Sequence, residues 1–210
     1  MSTYYPLFLN IKDSNCVVIG GGAVAERKVR ALIESGAKVT VISSIISGGL
    51  NQLAQQGVIK VVQRDYQPGD LAHALLVIAA TPNPELNKEI ALEGRRVKAL
   101  VNVVDDPGNS DFIVPSVLRR GDIGIAVSTN GKSPALSRKI RSELEQYFPE
   151  EYSSLAIMIA DVRQELKRKK AHINEQKWQE SLELRPLLQM IREGKQEQAR
   201  KKLIAALLSC

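Results

Sequence analysis

Three consecutive glycines, Gly20-Gly21-Gly22, stand between the β-branched run Cys16-Val17-Val18-Ile19 and a segment of helical periodicity that begins at Ala23. The run reads as a fully buried strand, since it has no polar face and ends in strand-terminating residues. From Ala23 to Ser35 the apolar residues Val24, Ala25, Val29, Leu32 and Ile33 recur on or near one face, and Gly36 is placed to close the helix. Gly20–Ala25 fits G-x-G-x-x-A. The pattern alone is weak, but between a buried strand and a helix it is the dinucleotide fingerprint. Gly20 permits the tight turn, Gly22 lets a pyrophosphate approach the backbone, and Ala25 lets helix and strand pack closely. Helix N-terminal amides then face the phosphates. This assigns Gly20, Gly21, Gly22, Ala23 and Val24 to cofactor binding.

The pattern continues in alternation. Lys38–Ile42 reads as a strand, residues 46–56 as a helix, Val58–Val62 and Leu75–Ala79 as strands, Pro84–Glu93 as a helix and Leu100–Val103 as a strand. The fold class expected is α/β, a Rossmann-like doubly wound parallel sheet. After Asp105 the character changes. Val117–Arg120 and Ile123–Ser128 flank Gly121-Asp122 as a hairpin, and Ser133-Pro134 opens a helix that places Leu136, Ile140 and Leu144 on its inner side. Helices are expected over 153–170, 174–193 and 195–208. The division read from this is a dinucleotide-binding domain over 1–112, a small mixed segment over 113–150 and an all-helical domain over 151–210.

Composition narrows the function classes. Aromatic residues make up 4% of the chain, too few for base-stacking platforms. The net charge of +6 is concentrated after residue 150, where 12 Lys/Arg face 8 Asp/Glu. Lys167-Arg168-Lys169-Lys170 reads more simply as a solvated helix face than as a nucleic-acid surface, and a mild basic excess suits a polyanionic small substrate. Cys16, Cys210, His73 and His172 show no metal-ligand spacing. No secretory leader and no membrane-spanning run is visible, so the expected location is the cytoplasm.

The acidic residue that commonly binds the adenosine ribose should end the second strand. That place holds Ser43-Ser44-Ile45 instead, which leaves NAD and NADP both open. Ala79-Ala80-Thr81 ends the fourth strand in small residues that allow close approach to a nicotinamide, with Thr81 able to donate to it or to cap the next helix, as could Asn83. Asn102 near the end of the last strand, and Asp105 and Asp106 after it, lie at the sheet end where ligands bind. A partly desolvated carboxylate there can act as a base. Ser128, Thr129 and Lys132 precede a helix N-terminus, a place that favours carboxylates. Arg138 and Arg141 on that helix, with Arg119 and Arg120 on the hairpin, would suit an anionic substrate.

Five segments in register resemble the precorrin-2 dehydrogenase and sirohydrochlorin ferrochelatase family, the N-terminal part of sirohaem synthase. They are Pro6-Leu7-Phe8-Leu9, the run from Val18 through Gly20-Gly21-Gly22 to Lys28, Ala79-Ala80-Thr81, the pair Asn102–Asp105 and Asp111–Ser116, and Ala126–Pro134. The resemblance implies NAD as cofactor, precorrin-2 as an anionic tetrapyrrole substrate, and oxidation to sirohydrochlorin. Some members also insert ferrous iron. It implies a homodimer built through the central segment, a catalytic role for Asp105, and a substrate border at Ser128 and Thr129. At 210 residues the chain is not expected to include the methyltransferase domain of fused relatives. The competing reading is an NAD-responsive redox sensor, which would have no need of Asp105 at the crevice.

Overall fold

The computed structural model describes residues 4–209. The chain divides into two compact units, Met1–Val114 and Pro115–Cys210, so the segment 113–150 shares its unit with the helical tail from Pro115 onward.

The first unit is a five-stranded parallel sheet in the order β3-β2-β1-β4-β5, with β1 Asn15–Ile19, β2 Lys38–Ile42, β3 Lys60–Val62, β4 Leu76–Ala79 and β5 Leu100–Val103. The strands lie in the middle of a two-faced core, which is why they read as continuous apolar runs. Cys16, Val18, Val39, Val41, Leu76 and Ile78 pack against α1 (Ala23–Glu34) and α2 (Gly48–Gln55). The alternate residues Val17, Ile19, Val77, Ala79, Val101 and Val103 pack on the other face against α3 (Pro84–Arg96). Gly36 takes φ +78 and donates to the Ile33 carbonyl, closing α1 as expected. Asn83, not Thr81, caps α3, accepting from the amides of Glu85 and Leu86.

The free edge of β5 is covered by the chain that follows it. The Asp111 amide donates to the Val101 carbonyl at 2.7 Å, and its carboxylate accepts from the Val101 amide at 3.0 Å and from Arg95 at 3.0 Å. Ser110 bonds both backbone groups of Val103. An exposed edge is thereby removed as a pairing template.

The second unit holds the hairpin β6 (Ser116–Arg120) and β7 (Ile123–Val127), then α4 (Pro134–Tyr147), α5 (Glu151–Arg168), α6 (Glu175–Ser181), α7 (Leu184–Arg192) and α8 (Gln196–Leu208). Its core is Leu155, Met158, Val162 and Leu166 on α5, packed with Leu187 on α7 and Ala199, Leu203 and Leu207 on α8. Two expectations are corrected. The helix expected over 174–193 breaks at Leu182-Glu183, because Pro186 has no amide to bond the Leu182 carbonyl and its ring clashes with that carbonyl, so a new helix starts with the proline in its first turn. The face of α4 expected to point inward does so only in part: Leu136 and Ile140 are exposed and Leu144 is half-buried, while Ser137 is buried and bonds the Pro134 carbonyl. The basic run at 167–170 terminates α5, where cations complement the helix dipole, and Lys169 pairs with Glu165. No helix among the described residues is long and apolar enough to cross a membrane.

Gly94 lets α3 lie close on the sheet, since a Cβ there would stand 2.4 Å from Val101 Cγ2, a branched side chain that cannot swing away. Gly94→Ala gains helix propensity of about 1 kcal/mol but overpacks the core by about 1–3 kcal/mol. The expected result is a lower urea midpoint with an unchanged slope, measured by circular dichroism.

Candidate dinucleotide site

The glycine turn is shaped by two carbonyls. Gly20 donates to the Ile42 carbonyl at 2.9 Å and takes φ +117, and a Cβ there would lie 2.4 Å from the Ala80 carbonyl oxygen. Any other residue would be both strained and clashing. A Cβ on Gly21 would lie 2.0 Å from the Ile45 carbonyl oxygen. Gly22 differs: no atom lies within 4 Å of the place its Cβ would take. It is the N-cap of α1 and offers no side chain to the first-turn amides of Ala23, Val24 and Ala25. Those amides have no partner inside the helix. Ala23 and Val24 are exposed beside this space, while Ala25 is fully buried against the sheet. An open cradle of unpaired amides at a helix N-terminus is what a pyrophosphate requires. The residues present fit a dinucleotide.

The loop after β2 closes over the turn. Ser47 donates its amide to the Gly21 carbonyl at 2.8 Å, and Ser43 donates its hydroxyl to the Ile45 carbonyl at 2.8 Å. Gln63 holds the Ser44 carbonyl at 3.4 Å. Ser44 and Ile45 are exposed. Ser47 caps α2 by accepting from the Leu50 amide, and donates its hydroxyl to Glu26 at 2.6 Å. Glu26 also pairs with Arg30, and the two bonds hold its carboxyl below the usual carboxylate range.

At the ends of β4 and β5 several polar side chains are engaged by the protein itself. Thr81 donates its hydroxyl to Asn87 at 2.7 Å, and the Asn87 amide returns a bond to the Thr81 carbonyl at 3.0 Å. Asn87 is buried and clamps the turn in which Ala80 meets Gly20. Asn102 is buried and donates to the Phe112 carbonyl at 3.0 Å. Asp106 caps the short 3-10 turn Pro107–Asn109 and accepts from the Asn109 side chain at 2.6 Å. Asp105 is the member of this group that is exposed and makes no hydrogen bond among the described residues. It sits at φ +59, a left-handed conformation that aspartate tolerates better than most residues. Lys28, half-buried on α1, feels its charge. Burial pushes the Lys28 ammonium below its ordinary range and Arg27 adds to that, while Asp105 opposes it.

The residues assigned to substrate lie in the second unit. Ser128 accepts from the Asn130 amide, and Thr129 bonds both backbone groups of Ser133, the N-cap of α4. Asn130 and Gly131 both take positive φ in this turn. Lys132 and Arg138 are exposed. Two other arginines of the expected cluster are engaged: Arg120 donates to the Phe148 carbonyl at 2.7 Å, and Arg141 pairs with Glu145. Among the described residues no group of three His, Cys, Asp or Glu side chains could hold a metal.

Sequence reasoning missed Asn87, Gln63, Glu26 and Lys28 as site-shaping residues. Asn87 had a signal, being one turn before Ile90 and Ala91 on the buried face of α3. Glu26 and Arg30 had one in their i,i+4 spacing. The partner of Glu26 across the fold, Ser47, had none.

The three glycines should separate under mutation. Gly22→Ala is expected to keep the thermal midpoint of wild type and to lose dinucleotide affinity by tenfold or more, since its methyl enters the cradle only. Gly21→Ala should lower the midpoint as well, because the Ile45 carbonyl must move. Differential scanning fluorimetry with and without dinucleotide checks both.

Comparison with known proteins agrees with this geometry. A family model described as NAD(P)-binding matches residues 7–116, and one described as the sirohaem biosynthesis protein central segment matches residues 120–147. The siroheme synthase of Nitrosomonas europaea is 38% identical over 207 residues, which is 97% of this chain and 43% of that protein. The siroheme synthase of Methylococcus capsulatus is 35% identical over 209 residues, again 97% and 43%. The chain thus spans less than half the length of these relatives. The solved structure of SirC, a precorrin-2 dehydrogenase, superposes with a TM-score of 0.73 at 23% identity, covering 95% of this chain and 98% of that one, and shows the same fold. The chain belongs to the NAD(P)-binding family that forms the N-terminal part of sirohaem synthases.

Proposed function

We propose that the protein oxidises precorrin-2 to sirohydrochlorin with NAD. The observation that carries this reading is the pairing of an open phosphate cradle at Gly22 with an uncommitted carboxylate, Asp105, at the same end of the same sheet. Membership of the sirohaem synthase family supplies the substrate class. A precorrin is a large, carboxylate-rich macrocycle, and the second unit offers chemistry suited to one. Lys132 and Arg138 stand at the α4 N-terminus. An apolar groove of about 850 Å³ lined by Ile123, Tyr152, Leu155 and Ile159 is rimmed by Arg163 and Lys167.

When bound, a nicotinamide supplies the hydride acceptor. The chain does the remainder. Its first-turn amides hold the pyrophosphate, and the loop 43–47 covers the adenosine half. Asp105 takes the proton that leaves the macrocycle as the carbon–hydrogen bond to the hydride carbon breaks, so that one hydride and one proton account for the two-electron oxidation. Lys28 on α1 lies close enough for its ammonium to interact electrostatically with the Asp105 carboxylate. Ferrous iron, where inserted, would be a second substrate.

The test is an absorbance assay with precorrin-2 and NAD, followed at the NADH and sirohydrochlorin bands. Wild type should produce both, and their absence would remove the reading. Asp105→Asn keeps a residue that accepts φ +59 and should lower kcat by about 10²–10⁴-fold with NAD affinity nearly unchanged. Adding ferrous iron to the same cuvette reports chelation.

We also infer that the protein is a homodimer through the segment 113–150. Leu136, Ile140 and Tyr147 leave an apolar face on α4 that the unit itself does not cover. Ile140→Asp should convert the dimer to a monomer in light scattering, whereas a monomeric wild type would contradict the inference.

A further inference from the structure

The second strand of this sheet ends in Ser43-Ser44, without the acidic residue that in many NAD sites binds the ribose and repels a 2′-phosphate. A carboxylate reaches that region by another route. Glu26 lies in the first turn of α1, directly after the amides of the cradle, and its side chain extends across to the start of α2. One oxygen accepts from the Ser47 hydroxyl at 2.6 Å, and the other accepts from Arg30 Nη2 at 2.6 Å and Nε at 3.1 Å. The carboxylate fills the space over Gly49 so closely that a Cβ there would stand 2.1 Å from Glu26 Oε1. Glycine at 49 is what allows the charge to reach the first turn of α2.

This placement matters because a site for a 2′-phosphate is built from two things. One is an arginine near the end of the second strand, and the other is a set of helix N-terminal amides with their dipole. An arginine, Arg30 on α1, and the start of α2 are both present here, and one carboxylate pairs with the first and reaches the second through the Ser47 hydroxyl. Arg30 is neutralised by a two-nitrogen contact. Ser47, which caps α2 and whose amide ties the loop 43–47 to Gly21, is bonded to the same acid. Glu26 is 22% exposed, so its charge is only partly screened by solvent.

We propose that Glu26 is the residue that sets the preference of this site for a dinucleotide without a 2′-phosphate, standing in for the acid missing from the end of β2. The proposal rests on the dinucleotide reading of the glycine turn. It assigns selectivity to a side chain on α1, with Gly49 leaving the room that side chain occupies and Arg30 as its charge partner.

Calorimetric titration of the full chain with NAD⁺ and with NADP⁺ tests it without reference to turnover. Wild type should bind NAD⁺ the more tightly. Glu26→Gln keeps the shape and the bond to Ser47 while removing the charge and releasing Arg30. The ratio of the two affinities should shift toward NADP⁺ by about five- to tenfold, as expected for one charge lifted at several ångströms near a surface. Glu26→Ala should shift the ratio in the same direction and serves if the glutamine variant does not fold. Ser47→Ala loosens the α2 cap but retains the carboxylate, so it should lower the thermal midpoint and leave the ratio near that of wild type. A wild type that binds NAD⁺ with a ratio unmoved by loss of Glu26 overturns the proposal and leaves the dinucleotide reading intact. A Ser47→Ala ratio shifted as far as that of Glu26→Gln also overturns it, because loop order rather than charge would then set the preference. Failure of wild type to bind either dinucleotide removes the reading and the proposal together.

Discussion

Backbone against backbone at the glycine turn is the contact on which the first unit depends. The Ala80 carbonyl presses on Gly20 from the end of β4, and the Ile45 carbonyl presses on Gly21 from the loop after β2. Neither approach is possible over a side chain, so the chain ends of three adjacent strands converge only because two Cβ atoms are absent. The third glycine is left facing open space, and the first-turn amides of α1 are left without acceptors. Close packing on two sides thus leaves the opening on the third. The cofactor cradle is what remains when sheet and loop have taken their share of the turn.

Polar side chains then fix that convergence. Asn87 holds the turn after β4, Asn102 and Asp111 tie down the strand edge at β5, and Glu26 with Ser47 locks the loop after β2 to α1. Each is a side chain satisfied by the protein, and among the described residues no buried side-chain nitrogen or oxygen lacks a partner. A buried amide or carboxylate left unpaired would cost more than its bond contributes, so these networks specify one arrangement. Asp105 stands apart from them. Its neighbours Asn102 and Asp106 spend their polar groups on the fold, while its own carboxylate is exposed, makes no hydrogen bond among the described residues and interacts electrostatically with the half-buried ammonium of Lys28.

The second unit obeys different physics. Its core is a seam of leucines, a methionine and a valine along α5, facing α7 and α8 at helical spacing. Gly121 at the hairpin tip takes φ +57, where a Cβ would lie 2.3 Å from the Ser153 hydroxyl, so the hairpin is seated on the first turns of α5 by the same device used at the cofactor turn. Arg120 adds a bond to the Phe148 carbonyl between α4 and α5. The apolar face of α4 is left outside this arrangement.

Much of the fold was legible in the sequence because its signals are local. Buried parallel strands carry unbroken apolar runs, Gly36 marks a helix end, and a glycine turn between strand and helix has one common use. The candidate site was legible to the same depth: Gly20, Gly22 and Ala25 have roles that follow from a residue's own size and torsion angles. Two things were decided only by tertiary structure. The inward face of α4 is set by where β6 and β7 lie, so Ser137 is buried where an apolar stripe led one to expect Ile140. The acid that the end of β2 lacks is supplied from α1, 21 residues before the serine that holds it. A sequence records which residues a chain has and how they are spaced. It does not record which side chains from distant segments share a space, and at this site that sharing places the charge.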